Sequence, residues 1–422
     1  KSKVLQKINS VKGMKDLFGE ELFKHQYLSQ IFRKLCIFYN YEEIATPLVE
    51  HIQIFNRSLG ETSDIVSKEM YNFTDQGDDH LVLRPEGTAA LARAYISNNF
   101  KQKLINKYFY IGSMFRRERP QSGRLRQFNQ FGLEFFGVRN IMSDLEVILV
   151  ADKFLSEVGI RDNIRLELNS LGNKESREKY VKSLTEFFIK KKNHLSEESL
   201  RRLDKNPLRI LDSKNSEDLQ IIKECPKINS FFDKESRDFF DGITTGLNQL
   251  GIKFELNPSL VRGLDYYNHT AFEYKTFEEK SQNTILAGGR YDSLVKMLGG
   301  DESTGVGWAA GIERIALNLV SKSKEKLKIS IFSNSPHFDF DVMNIIKNLK
   351  PIENLQINFM NSGNFKKKLS RANKLDSFAC IILAEDEWKQ KQLIWKDLIN
   401  NSQETFHLEK IEEFLNYKLY KK

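Results

Sequence analysis

Between positions 116 and 126 the chain runs Arg-Arg-Glu-Arg-Pro-Gln-Ser-Gly-Arg-Leu-Arg, with guanidinium groups on Arg116, Arg117, Arg119, Arg124 and Arg126. A guanidinium is always charged and presents a planar fork of donors, so such a cluster suits an anion such as phosphate. A solvated basic hairpin has the same residue types, and the run alone leaves both readings open. The stretch that follows adds different chemistry. Its alternate residues separate into Phe131, Leu133 and Phe135 on one side and Phe128, Gln130, Gly132 and Glu134 on the other. In a strand these sets face opposite ways. The first is a core face. The second carries a ring, an amide, a gap and a carboxylate, which suits the floor of a site better than a core.

Other candidate residues lie far off in sequence. Arg84-Pro85-Glu86-Gly87-Thr88 closes one strand and opens a helix expected from Ala89 onward. Thr88 is placed to cap that helix, and Glu86 stands where a carboxylate would also meet a ligand ammonium. Leu260–Tyr267 carries Arg262, Tyr266 and Tyr267, and Ala287–Asp292 reads AGGRYD. Gly299–Gly311 reads GGDESTGVGWAAG, before a helix expected to turn Ile312, Ile315, Ala316 and Leu319 inward. Its spacing is not G-x-G-x-x-G, and hairpins surround it rather than a βαβ unit. A dinucleotide loop is therefore rejected, and no G-x-x-x-x-G-K-[ST] loop occurs. These glycines are expected to let a strand pass close under a flat ligand. Arg314, in the first helical turn after them, is placed to lean over it.

The elements that must hold these residues are legible in outline. Leu28, Ile31, Phe32, Leu35 and Phe38 have helical spacing, and the helix is expected to end near Asn40. Glu43–Val49 reads as a strand, but Pro47 confines it to an edge or to contact with another chain. Met70–Phe73 and His80–Leu83 form a hairpin with Gly77 at the turn. Tyr108–Gly137 is two strands joined by the basic loop. Ser143–Val158 is a helix capped by Ser143 with Glu146 three residues on. Arg165–Asn169 is a short strand. Gly172 to Asp241 is a mostly helical insertion whose Lys/Arg runs read as solvated faces. Strand character returns at Lys253–Leu256 and again up to Tyr274. Ser321–Lys328 is a lysine-rich linker. Strands at Ile329–Phe332, Leu355–Phe359, Phe378–Leu383 and Gln392–Asp397 then alternate with helices at Asp339–Leu349, Phe365–Lys374 and Leu408–Leu419, a separate α/β domain.

Composition sets the class. At 422 residues the chain exceeds one ordinary core, and about two to four domains are expected. Lys and Arg number 65 against 57 Asp and Glu, a net +8 that is compatible with a polyanionic partner. Cys36, Cys225 and Cys380 stand alone, so neither a zinc site nor a disulfide framework is indicated and a reducing cytosol is expected. The seven histidines are equally scattered. No apolar run reaches the ~18 residues of a membrane span. The first residues lack the apolar stretch of a signal peptide.

Several of these stretches resemble a known family. FRRERPQSGRLRQFNQFGLEFFG, YEEIATPLVE and GVGWAAGIERIAL resemble motifs 2, 1 and 3 of class II aminoacyl-tRNA synthetases. LVRGLDYYNHTAFEY and AGGRYDSLVKMLGG resemble the two histidine-specific motifs of the histidyl-tRNA synthetase family, and RPEGTA fits as well. The resemblance covers essentially the whole chain. It implies an α+β catalytic domain built on an antiparallel sheet over residues 1–325, with the helical insertion at 172–241. It also implies an α/β anticodon-binding domain over 326–422.

The implied reaction has two steps. Histidine and ATP give histidyl-adenylate and pyrophosphate; the histidyl group then passes to the 3′ end of tRNA(His). By resemblance, Arg116 and Arg262 are the catalytic pair at the α-phosphate. Glu86, Gly87, Thr88, Gln130, Glu134, Tyr266 and Tyr267 join them in binding L-histidine, with the imidazole between Glu134 and Tyr267. A side chain lacking those two partners would leave buried polar atoms unpaired. Arg116, Glu118, Phe128 and Arg314 are the implied ATP residues, with Phe128 stacking on adenine and Glu118 facing its amino group. Arg119, Arg124 and Arg126 are left for pyrophosphate or the tRNA acceptor end. No metal-ligating residue is implied, although Mg2+ accompanies ATP. A homodimer in the cytoplasm, without membrane contact, completes the expectation. Leu125 and Asn129 stand where an aromatic and a histidine are usual, and Ala384 precedes Glu385 where glycine is usual. The same fold also serves as a non-catalytic regulatory subunit of ATP phosphoribosyltransferase. Such paralogues typically lack the C-terminal domain and erode the arginine and glycine motifs, whereas Arg116, Arg262, Arg314 and AGGRYD all stand here.

Overall fold

The computed structural model describes residues 7–60, 63–120, 122–262, 266–278, 283–319 and 326–420. The chain divides into two units, Lys1–Ser321 and Lys322–Lys422. The expected linker falls largely on residues 320–325, which lie outside the described residues, as do residues 263–265 of the LVRGLDYY stretch.

The first unit is built on an eight-stranded sheet. Its spatial order is Glu42–Glu43, Lys107–Phe115, Gln127–Phe136, Gly305–Gly311, Thr284–Arg290, Asn268–Thr276, Ile164–Ser170 and Glu255–Leu256. The six central strands are antiparallel; only the two-residue edge strands pair in parallel. The period-2 pattern of the return strand is realised. Phe131 and Leu133 are fully buried against the helices Gly19–Phe38 and Ile141–Val158, in a core with Phe32, Phe109, Phe154 and Trp308. The Phe32 ring lies 4.7 Å from Phe131 and 5.5 Å from Trp308, aromatic packing that adds to the area buried. Phe38 departs from its expected face and is exposed, on the last turn of its helix.

Three local expectations change. Glu43–Val49 is not one strand: Glu42–Glu43 pairs with Lys107–Phe115, Val49–His51 pairs with His80–Leu83, and Pro47 lies in the non-strand link. A proline has no N–H to give a ladder, so the chain leaves one sheet and joins another around it. The helix expected from Ser143 begins at Ile141, because Asn140 accepts the Met142 N–H at 3.0 Å and caps it two residues earlier. In the hairpin of Tyr71–Thr74 and His80–Leu83, Asp78 rather than Gly77 takes the positive φ.

The insertion is helical, with helices at Lys174–Lys190, Glu197–Lys205, Ser216–Glu224 and Lys234–Gln249, the last running past the expected boundary at Asp241. Each start is set by a side-chain oxygen that accepts a backbone N–H of the first turn, from Asn173, Ser196, Asn215 and Asp233 in turn.

The second unit has a five-stranded sheet in the order Leu355–Phe359, Leu327–Ser333, Ala379–Leu383, Gln392–Asp397, Ser402–His407. The first three strands are parallel and the last two antiparallel. Ser402–His407 was not expected from sequence, since Phe406 is its one buried residue. No helix among the described residues is long and apolar enough to cross a membrane.

Candidate active site

A cavity of about 270 Å³ opens on the non-core face of the large sheet. At one end lies Glu86, at the start of the helix Thr88–Ser97. Its carboxylate accepts from the Ala89 N–H at 2.7 Å, and from the Thr88 N–H and the Tyr266 hydroxyl at 3.2 Å each. Glu86, not Thr88, therefore caps this helix. Burial raises the Glu86 pKa, opposed by the helix N–H groups, Arg116 and Tyr266.

The Thr88 hydroxyl is turned elsewhere and donates to Glu134. The Tyr291 hydroxyl donates to the other oxygen of the same carboxylate. Glu134 is wholly buried just behind the cavity wall rather than lining it. Burial pushes its pKa up to about 8 against the pull of those two hydrogen bonds. Gln130 does face the cavity, and its Oε1 is buried without a hydrogen-bond partner, an acceptor in place for a ligand donor. Tyr266 and Tyr267 complete this end, with ring centroids 4.6 Å apart.

The other end is cationic. The Arg116 guanidinium stands 5.2 Å from the centroid of Phe128, and its Nε donates to the Pro85 carbonyl at 2.8 Å. Arg314 donates to the Thr284 carbonyl at 2.7 Å. Burial, together with Arg124 and Arg116 nearby, lowers the Arg314 pKa; crowded cations of this kind favour an anion between them. Glu118 pairs with Arg124 at the mouth. Arg262 borders both ends. It packs 5.1 Å from the Tyr267 ring centroid, donates to Glu273 at 2.9 Å, and keeps a buried Nε without a partner. The candidate residues Glu86, Thr88, Arg116, Glu118, Phe128, Gln130, Arg262, Tyr266, Tyr267 and Arg314 thus share one cavity.

The glycines revise an expectation. A Cβ on Gly307 would fall 1.8 Å from a Glu134 carboxylate oxygen, and one on Gly305 would fall 2.3 Å from the Tyr291 ring. A Cβ on Gly132 or on Gly87 would land within 2.2 Å of the Tyr110 ring. These four make room for the protein's own rings and carboxylate; of the GVGWAAG run, Ala309 and Gly311 border the cavity. Tyr110 was not singled out from sequence, because it lies neither on the alternating strand nor in the arginine run. Tyr291 and Arg290 lie in the AGGRYD stretch that was, but with no contact assigned to them, and Asp144 behind them was not singled out. Arg290 and Asp144, both wholly buried, are bonded to each other, and Arg290 also reaches the Ser143 hydroxyl at 2.8 Å and the Val138 carbonyl at 3.1 Å. The loop arginines divide: Arg117 and Arg119 are exposed, Arg124 is paired, and Arg126, which does not line the cavity, is tied to backbone carbonyls, that of Glu118 among them.

The comparisons with known proteins agree. A family model described as histidyl-tRNA synthetase matches residues 13–315. The histidine–tRNA ligase of Rhodospirillum rubrum is 42% identical over 409 residues, 97% of this chain and 98% of that protein. The chloroplastic histidine–tRNA ligase of Gracilaria tenuistipitata var. liui is 42% identical over 381 residues, 89% of this chain and 90% of that one. The structure of apo S. aureus histidyl-tRNA synthetase is similar at a TM-score of 0.79 and 30% identity, over 97% of this chain and 99% of that one. A structure from Bacillus halodurans C, described as an ATP phosphoribosyltransferase regulatory subunit/histidyl-tRNA synthetase, shares the fold at a TM-score of 0.64 and 18% identity, over 89% of this chain and 98% of that one. A family model over most of the first unit and relatives matched along nearly their whole length leave one assignment: the chain belongs to the histidyl-tRNA synthetase family.

Proposed function

We propose that this cavity holds histidine and ATP end to end, forms histidyl-adenylate with release of pyrophosphate, and passes the histidyl group to the 3′ end of tRNA(His). The observation that carries the reading is the division of one cavity. A carboxylate, an unsatisfied amide oxygen and two tyrosines stand at one end, a ring and several arginines, Arg116 among them, at the other, and Arg262 borders both.

The amino-acid ammonium meets Glu86, the Gln130 amide oxygen and Thr88. The imidazole has two distinct nitrogens. One reaches the Tyr267 hydroxyl; the other reaches Glu134 by exchanging for the Thr88 hydroxyl that now occupies it. Adenine stacks on Phe128 with its amino group toward Glu118, which frees Arg124 toward the triphosphate. A carboxylate oxygen of histidine then attacks the α-phosphorus, the α–β bond breaks, and pyrophosphate leaves. Such a step needs alignment and charge neutralisation rather than proton transfer, and Arg116, Arg262 and Arg314 supply both.

Among the described residues no three His, Cys, Asp or Glu side chains converge as a metal-binding group. Mg2+ would accompany ATP, and its charge would ease the departure of pyrophosphate. A homodimer, a cytoplasmic location and anticodon binding by the second unit belong to the same proposal. Histidine-dependent exchange of label between pyrophosphate and ATP tests it. Exchange with histidine alone among the amino acids is expected, and a folded sample without exchange overturns the reading.

A further inference from the structure

Residues 12 and 13 of the N-terminal segment make polar contacts to the arginine loop, and these converge on one residue. The Arg126 N–H donates to the Gly13 carbonyl at 2.8 Å, and its Nη1 donates to the Lys12 carbonyl at 3.5 Å. Arg126 Nε donates to the Glu118 carbonyl at 3.0 Å, and the Arg126 carbonyl accepts the Arg116 N–H at 2.9 Å. One residue thereby joins residues 12 and 13 to the two loop positions at the nucleotide end of the cavity. The N-terminal side is shaped for this contact. The Met14 N–H closes a turn onto the Val11 carbonyl at 2.9 Å, and the Ser10 hydroxyl donates to the Met14 carbonyl at 3.0 Å. Gly13 has a φ of 82°, and a Cβ there would lie 2.7 Å from Arg126 Cγ. Glycine alone accepts both the backbone angle and the approach. The segment adds little to the core, since Ile8, Val11 and Phe18 are 95%, 61% and 77% exposed.

We propose that the Val11–Met14 turn is a positioning element for the ATP end of the site, acting through Arg126 to fix the backbone of Arg116 and Glu118. This rests on the assignment of that end to ATP. A loop held in place before the nucleotide arrives need not be ordered by it, so the turn lowers the cost of binding ATP without touching it.

The test uses the full chain, a chain lacking residues 1–14, a control lacking only residues 1–9, and the substitutions Gly13→Val and Arg126→Lys. The lysine keeps the charge but not the Nε bond to Glu118. In pyrophosphate exchange, the 1–14 deletion, Gly13→Val and Arg126→Lys are expected to raise the KM for ATP about fivefold or more, the equivalent of one net hydrogen bond. The KM for histidine and the thermal midpoint stay at the full chain's values, and the 1–9 deletion matches the full chain throughout. An unchanged KM for ATP in the 1–14 deletion overturns the proposal. So does an Arg126→Lys enzyme with the full chain's KM for ATP. A parallel loss of ATP affinity, histidine affinity and thermal midpoint overturns it in favour of a general structural role. If the full chain shows no exchange, the reaction assignment fails by itself, and calorimetric ATP affinity of the same set still decides the role of the turn.

Discussion

Replacing Glu134 with glutamine tests the buried floor of the site through its protonation. The carboxyl is wholly buried, and burial places its pKa near 8 instead of the ordinary 4.5. The folded protein therefore keeps a proton that the unfolded chain has released at any pH between those values. The stability this contributes is fully present below pH 4.5 and is lost as pH rises through about 8. At about 1.4 kcal/mol per unit, the whole window is worth on the order of 5 kcal/mol, and the part between pH 6 and pH 9 about 3 kcal/mol. Burial also lifts Glu86, Glu69 and Glu313, so the wild-type slope alone mixes several groups. Glu134→Gln keeps the shape and cannot titrate; the difference between the two proteins isolates position 134. Urea titrations of both at pH 6 and pH 9 give unfolding free energies by linear extrapolation. Wild type is expected to lose about 3 kcal/mol more than Glu134→Gln between the two conditions. Equal losses refute the reasoning, because Glu134 would then be ionised throughout, held by Thr88 and Tyr291.

Two further outcomes are expected. Arg262→Ala should lower histidine-dependent pyrophosphate exchange at least about 100-fold, while calorimetry shows histidine still bound; near-normal turnover would remove Arg262 from the α-phosphate. Asp144→Asn should leave the buried Arg290 charge with Asp292, 3.0 Å away, as its remaining carboxylate partner and cost about 3 kcal/mol in urea unfolding, against a near-neutral result if the Asp144 contact contributes nothing.

The sequence carried the site unevenly. Phe128, Gln130 and Glu134 were readable because period 2 sorts a strand's residues by face without knowledge of its neighbours. The exchange of roles between Glu86 and Thr88 was not, because either residue type can cap a helix, and a third residue, Glu134, decides the matter by taking the Thr88 hydroxyl. Tyr110 and the contacts of Tyr291 and Arg290 within AGGRYD stayed hidden for a related reason: their partners come from elements far apart in the chain, and no spacing records that. Asn140 displaced Ser143 as a cap because both are good capping types and Ser143 is engaged by Arg290. In the second unit, Ser402–His407 escaped because an edge strand with one buried residue has no alternation to read.

The packing of glycines on rings has a consequence for how this pocket changes over time. Tyr110 sits directly across the sheet from Gly132 and also fills the space beside Gly87. Neither backbone position can gain a methyl group while that ring remains, so substitutions at 87, 110 and 132 are epistatic. A lineage leaving glycine at 132 must first shrink residue 110, and in doing so it loosens the support of residue 87. A mutant library meant to admit a bulkier amino acid should therefore vary these three codons together, since single-site saturation at 87 or 132 meets the Tyr110 ring each time.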